Sequence, residues 1–294
     1  MYYRRKVILS LLELFNDQLE KLQLQRLLML LSFQQTNPSF YFVPHKLGGI
    51  SFQANADLST MKKYRLLDEE EKYWKRVTNI SYTNELKRED LAALNELKEK
   101  FLYKSSEYLI RYVYKYYPYY AINSKVTERS MSYKERSKIA DEIPHSSEKA
   151  LFTIGYEGVT IEQYINKLIK RDVKVLCDVR KNSFSMKYGF NKSQLKMVCE
   201  GVGIMFIHIP ELGIVSSKRK ELKTQEDYDT LFGEYKKTVL KETLNEQKQI
   251  LDFIEKHKRV ALTCFEKDKS QCHRTPLAEA VSQLSSFKYE VKHL

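Results

Sequence analysis

Apolar residues recur at helical spacing from the start of the chain. Val7, Ile8, Leu11, Leu12 and Phe15 share one face, and Leu24, Leu27, Leu28 and Leu31 repeat the pattern after a break at Asn16-Asp17. The spacing predicts helices over residues 2–15 and 20–33. An aromatic, β-prone run at 39–43 follows Asn37-Pro38 and closes at Pro44 and Gly48-Gly49. A helix over 51–64, an acidic turn at 68–71 and a strand over 73–77 come next. Helices over 84–101 and 105–117 lead to a polar stretch, 123–149, that reads as a charged linker. From residue 151 the period changes: apolar strand runs at 151–154, 173–179, 204–209, 259–263 and 289–293 alternate with helical patterns at 161–170, 192–201, 226–240, 244–256 and 276–284.

The pattern divides the chain into a first domain over 1–122, a linker over 123–149 and a second domain over 150–294. Helices followed by a hairpin-like segment resemble a winged helix, a scaffold used for DNA binding and for protein interaction alike. The first domain is therefore expected to be mostly helical, winged-helix-like and nucleic-acid-binding. Strand–helix alternation in the second implies an α/β fold, a Rossmann-like, mainly parallel sheet with flanking helices.

Charge and cysteine usage narrow the classes. The 294 residues carry 50 Lys and Arg against 38 Asp and Glu, a net charge of +12 spread over both halves, which favours a polyanionic partner. Nucleic acid, DNA more than RNA, is the expected one. The tyrosine-rich run ending in Arg111-Tyr-Val-Tyr-Lys-Tyr-Tyr-Pro-Tyr-Tyr120, together with Tyr103 and Tyr108, sets ring faces and hydroxyls beside cations. Spacing also puts Tyr108 and Tyr112 on one helix face, where packing would suffice. Cys177, Cys199, Cys264 and Cys272 fall in the second half with no cleavable leader pattern before them, so free thiols in a cytoplasmic protein are expected. No run approaches the roughly 20 apolar residues of a membrane span, so no membrane partner is expected.

Candidate chemistry gathers in three loops that follow strands, the ligand-facing edge of a parallel sheet. Together they hold Tyr156, Glu157, Asp178, Arg180, Phe190, Cys264, Glu266, His273 and Arg274. Asp178-Val-Arg180 also suits a buried ion pair. Thr153-Ile-Gly-Tyr-Glu157, Leu176-Cys-Asp-Val-Arg180, His208-Ile-Pro-Glu-Leu-Gly213 and Cys264-Phe-Glu266 with Cys272-His-Arg274 resemble the domain of unknown function 488 family over about residues 150–285. Ser183 and Lys269 stand where that family commonly has proline, and Ile214 where a second glycine is common. The resemblance implies a fold and a site, with little settled chemistry.

The two halves together suggest a hydrolase acting on DNA, in first place a glycosylase that cleaves the N-glycosidic bond of a modified base, with a role in defence against foreign DNA. Asp178, Glu157 or Glu266 would supply the catalytic carboxylate. Arg180 and Arg274 would grip phosphates, Tyr156 and Phe190 would stack on the base, and His273 and Cys264 would complete the binding surface. The alternatives are a DNA-binding transcriptional regulator with a nucleotide-sensing domain, a cysteine-dependent sulfur or phosphoryl transferase, and a nuclease. Cys264 and Arg274 are separated by nine residues, where the phosphatase pattern has five. Cys264, Cys272 and His273 lack a standard zinc spacing. No cofactor and no metal are expected.

Overall fold

The computed structural model describes residues 1–125, 131–219 and 222–294. The chain divides into two compact units, Met1–Ile143 and Pro144–Leu294.

In the first unit, α1 (Tyr3–Leu14) buries Val7, Ile8, Leu11 and Leu12, and α2 (Lys21–Gln34) buries Leu24, Leu27, Leu28 and Leu31, the two predicted apolar faces, in one hydrophobic core. Asn16 and Asp17 both sit at φ 63°, a conformation their short polar side chains tolerate, and the reversal lets β1 (Gln18–Glu20) separate the helices. The aromatic run forms only the short β2 (Val43–His45), paired with β3 (Gly48–Ile50); Phe40 and Phe42 enter the core from irregular backbone instead. Then α3 (Phe52–Lys63), capped by Ser51, is followed by β4 (Leu67–Glu69) and β5 (Tyr73–Arg76). β5 pairs with β1 and β4 in a three-stranded antiparallel sheet, and the first unit is otherwise mostly helical.

α4 (Arg88–Phe101) and α5 (Ser106–Tyr116) come next. The expected linker departs from a plain linker: residues 131–143 belong to the first unit and include α6 (Tyr133–Asp141). Ser132 and Glu135 form a reciprocal cap at its start and Ile139 is buried in the core. Residues 126–130 of that stretch lie outside the described residues.

The second unit runs β6 (Ala150–Gly155), α7 (Ile161–Lys170), β7 (Val175–Asp178), α8 (Lys192–Gly201), β8 (Met205–His208), α9 (Gln225–Lys237), α10 (Val239–Glu242), α11 (Leu244–His257), β9 (Arg259–Cys264), α12 (Arg274–Ser282) and β10 (Glu290–His293). Its five strands are all parallel, in the order β10-β6-β9-β7-β8. β9 is central and buried throughout, which is why Val260, Ala261 and Leu262 stand in a row with no polar–apolar alternation. One predicted helix is two: Thr238, at φ −110° and ψ −85°, separates α9 from α10. Among the described residues no helix is long and apolar enough to cross a membrane.

Candidate active site at the sheet edge

Parallel register sets the site. Gly155 pairs with Cys264 and Asp178 with Thr263, so β6, β9 and β7 end side by side. The segment after Cys264 folds back over β6. Tyr156 and Glu157 N–H groups donate to the Phe265 carbonyl at 3.1 and 2.9 Å. A Cβ on Gly155 would stand 1.9 Å from the Glu266 carbonyl oxygen, so only glycine permits this approach. Arg274, the first residue of α12, is buried and turns both guanidinium nitrogens back onto this segment, Nη1 to the Glu266 carbonyl and Nη2 to that of Lys267 at 3.0 Å. Arg274, expected to grip phosphate, thus donates to backbone carbonyls of its own loop.

The Cys264 thiol is the centre of a polar cluster. It donates to Glu266 Oε2 at 3.1 Å and lies 3.5 Å from His273 Nδ1 and 4.0 Å from Arg219 Nη1. His273 Nε2 donates to the Val179 carbonyl at 2.9 Å, which leaves Nδ1 as the atom that meets the thiol. Arg219 reaches in from the segment after β8. Its Nη1 donates to Glu266 Oε1 and its Nη2 to His273 Nδ1, both at 2.5 Å.

Burial works against ionisation of Cys264. A hydrogen bond from the Cys272 thiol, His273 and the Arg219 charge outweigh it and hold Cys264 well below the ordinary thiol range. Burial, and then the hydrogen bond to Cys264, push Cys272 the other way. Burial, and then the charge of Cys264, raise the Glu266 carboxyl.

Cys264 and His273 line a cavity of about 220 Å³ with Tyr156, Arg180, Lys181, Asn182, Phe184, Ser185, Ile214, Phe265 and Arg219. A roomier groove of about 390 Å³ among α9, α10, α11 and α12 is lined by Lys236, Lys241, Glu279, two glutamines and apolar side chains, and none of the cluster's residues line it. Behind the smaller cavity, Arg180 pairs with Asp178 through both carboxylate oxygens, at 2.8 and 2.6 Å. Arg180 also donates to Tyr156 Oη at 2.7 Å and to the Phe190 carbonyl at 3.0 Å. Phe190 is wholly buried and stacks under the Tyr156 ring at 4.2 Å.

The nine expected site residues therefore separate. Tyr156, Arg180, Cys264 and His273 face the cavity, and Glu266 reaches it through the thiol and Arg219. Asp178, expected as a catalytic carboxylate, is fully buried with both oxygens paired to Arg180 and does not line the cavity. Phe190 backs Tyr156 and offers no face to a ligand. Glu157 is exposed, its carboxylate accepting from Lys267 N–H at 3.0 Å, and does not line the cavity. Sequence reasoning missed Arg219, Lys181 and Asn182; the basic Lys218-Arg219 pair is the one chemical sign Arg219 leaves. Residues 160–281 match the family model of DUF488, a domain of unknown function. The DUF488 match takes in Arg180, Arg219, Cys264, Glu266 and His273, and stops short of Tyr156 on the N-terminal side. Comparison with curated proteins and with solved structures returned no match.

Cys264, Cys272 and His273 also bring three ligand atoms within 4.8 Å of one another, the closest approach to a metal site among the described residues. Two thiols and an imidazole suit zinc in type. Arg219 already donates to the His273 nitrogen a metal would take, so the cation in this arrangement is the guanidinium.

Proposed function

We propose that the protein is an enzyme of thiol-based group transfer, with Cys264 as the nucleophile of the DUF488 domain. The observation that carries this reading is the placement of the Cys264 sulfur on a cavity wall within 4.0 Å of Arg219, His273 and Glu266. Arg219 compensates the thiolate, and Glu266 accepts the thiol proton and returns it to a leaving group. Arg180, Lys181 and Arg219 around the cavity favour an anionic substrate.

Sulfur transfer fits better than phosphoryl transfer, which needs free backbone N–H groups around the phosphate. In this loop those of Lys267 and Ser270 are taken by Glu157 and Asp268, and those of Cys272 and Thr275 by carbonyls. In the proposed step the Cys264 thiolate attacks the outer sulfur of a sulfane donor. A cysteine persulfide forms as the donor's sulfur–sulfur bond breaks, and the donor remnant leaves with the electron pair. Incubation with thiosulfate, read by intact mass, should add one sulfur atom to the protein and none to Cys264→Ser, with release of sulfite. Labelling of the other thiols in preference to Cys264, with no persulfide, would sink the reading.

A second reading, base excision on DNA, retains one specific support: burial raises the Glu266 carboxyl, as a general acid requires. Its carboxylate is then Glu266 and not Asp178 or Glu157. Plain and base-modified duplexes treated with alkali after incubation separate the two. Alkali-labile breaks that survive Cys264→Ser and vanish in Glu266→Gln support excision, and a chain that leaves both duplexes intact removes it.

A further inference from the structure

The first unit carries an ordered aromatic surface that the sheet-edge chemistry does not use. On α5, Tyr108, Tyr112 and Tyr116 follow at four-residue spacing, about 6 Å apart along the axis. The first two rings lie 6.4 Å apart at 24° and the next two 4.6 Å apart at 43°. Each has a cation against it: Lys104 5.1 Å from the Tyr108 ring, Lys100 4.6 Å from Tyr112 and Lys115 5.4 Å from Tyr116. Tyr112 anchors the row, set edge-on to Phe101 at 5.0 Å with its hydroxyl accepting from Lys100 at 2.7 Å. Leu109, Val113 and Tyr114 bury the opposite side of the helix. The row itself faces water, with Tyr108 43% and Tyr116 55% exposed, and Tyr103 just before the helix is 91% exposed.

We propose that this face binds single-stranded nucleic acid. Unpaired bases offer planar faces that stack on tyrosine without regard to sequence, and the lysines between the rings meet the phosphates that join them. A duplex hides its base faces and meets only the lysines. Acidic groups near the row are few. Glu107 is taken by Arg111 at 3.4 Å, Glu135 of α6 lies within the charge of Arg111 and Lys115, and residues 98–115 carry Lys98, Lys100, Lys104, Arg111 and Lys115 against two acids, Glu99 and Glu107. The surface is complementary in sign and shape to a flexible polyanion with aromatic faces. An acidic peptide would satisfy its charge and leave its rings unused. The inference does not rest on the thiol reading.

The test uses the full chain and fluorescence anisotropy of a labelled oligo(dT), with a mixed-sequence duplex of equal length as comparison. The single strand should bind more tightly than the duplex. Replacing Tyr103 and Tyr116 together by Ala should weaken it about tenfold or more, with the salt dependence unchanged. Replacing Lys104 and Lys115 together by Gln should lower the log–log salt slope by about 1.4. Tyr103→Ala alone, at the most exposed ring, should weaken binding in the same direction with the thermal midpoint unmoved. Cys264→Ser should bind as the parent does. Equal affinity of the tyrosine variants and the parent would overturn the proposal. So would equal binding of duplex and single strand, or equally effective displacement of the oligonucleotide by polyglutamate.

Discussion

Replacing Arg219 by Ala tests whether one guanidinium activates the thiol. Arg219 Nη1 lies 4.0 Å from Cys264 Sγ, on a side chain 23% exposed. Two unit charges at that distance interact by about 4 kcal/mol at an effective dielectric constant near 20. Losing that attraction disfavours the thiolate, so the thiol rises. Glu266 works against part of this. It stands 3.1 Å from the sulfur and loses its own partner with Arg219, so it takes up a proton and ceases to repel the thiolate. The net change expected is a rise smaller than the loss of the Arg219 charge alone would give.

The assay is the rate of Cys264 alkylation by iodoacetamide as a function of pH, read by peptide mass so that the other three cysteines serve as internal comparison. Thiolate is the reactive form, so the rate falls as pH drops through the folded-state pKa. In the parent that fall lies well below the ordinary thiol range, and in Arg219→Ala it moves to higher pH. Arg219→Lys keeps a charge and loses the fork that spans Glu266 and His273, so its midpoint should fall between the two. A parent midpoint in the ordinary range, or an Arg219→Ala midpoint that does not move, refutes the electrostatic argument and the nucleophile assignment with it.

Asp178→Asn leaves the buried Arg180 without its counter-charge and should cost about 3–5 kcal/mol in urea denaturation; full stability with lost activity would return Asp178 to the reaction. Gly155→Ala must push the Glu266 carbonyl away, so Cys264 alkylation at neutral pH should slow, and an unchanged rate would show that the loop's position does not set thiol reactivity. Cobalt added to the reduced parent should give no thiolate-to-metal absorption band, whereas Arg219→Ala, with the His273 nitrogen freed, should give one. A stoichiometric band in the parent would mean that the metal, not the guanidinium, is the resident cation.

The parallel sheet was legible because β6, β7 and β9 are buried along nearly their whole length and read as mainly apolar, non-alternating runs, each leading into a polar loop. Those endings located the three loops. α6 was legible too, in Ser132-x-x-Glu135 followed by a buried Ile139, but the surrounding charge made a linker the simpler inference. Arg219 left almost no trace. It sits 45 residues before Cys264 at the end of a short 3-10 turn, Ser216–Arg219, and only tertiary folding brings it to the thiol.

What divides the carboxylates is the nearest donor, and that too is partly local. Residues two apart at a strand end project to the same side, so Arg180 was placed to close on Asp178 from the outset. Glu157 meets a backbone N–H of the neighbouring loop and stays a surface group. Glu266 alone shares its cation with a second acid, because Arg219 spans both it and the sulfur. Ionising either acid raises the other. The Cys264 charge raises the Glu266 carboxyl, so the alkylation midpoint of Cys264 is read with Glu266 as its electrostatic neighbour.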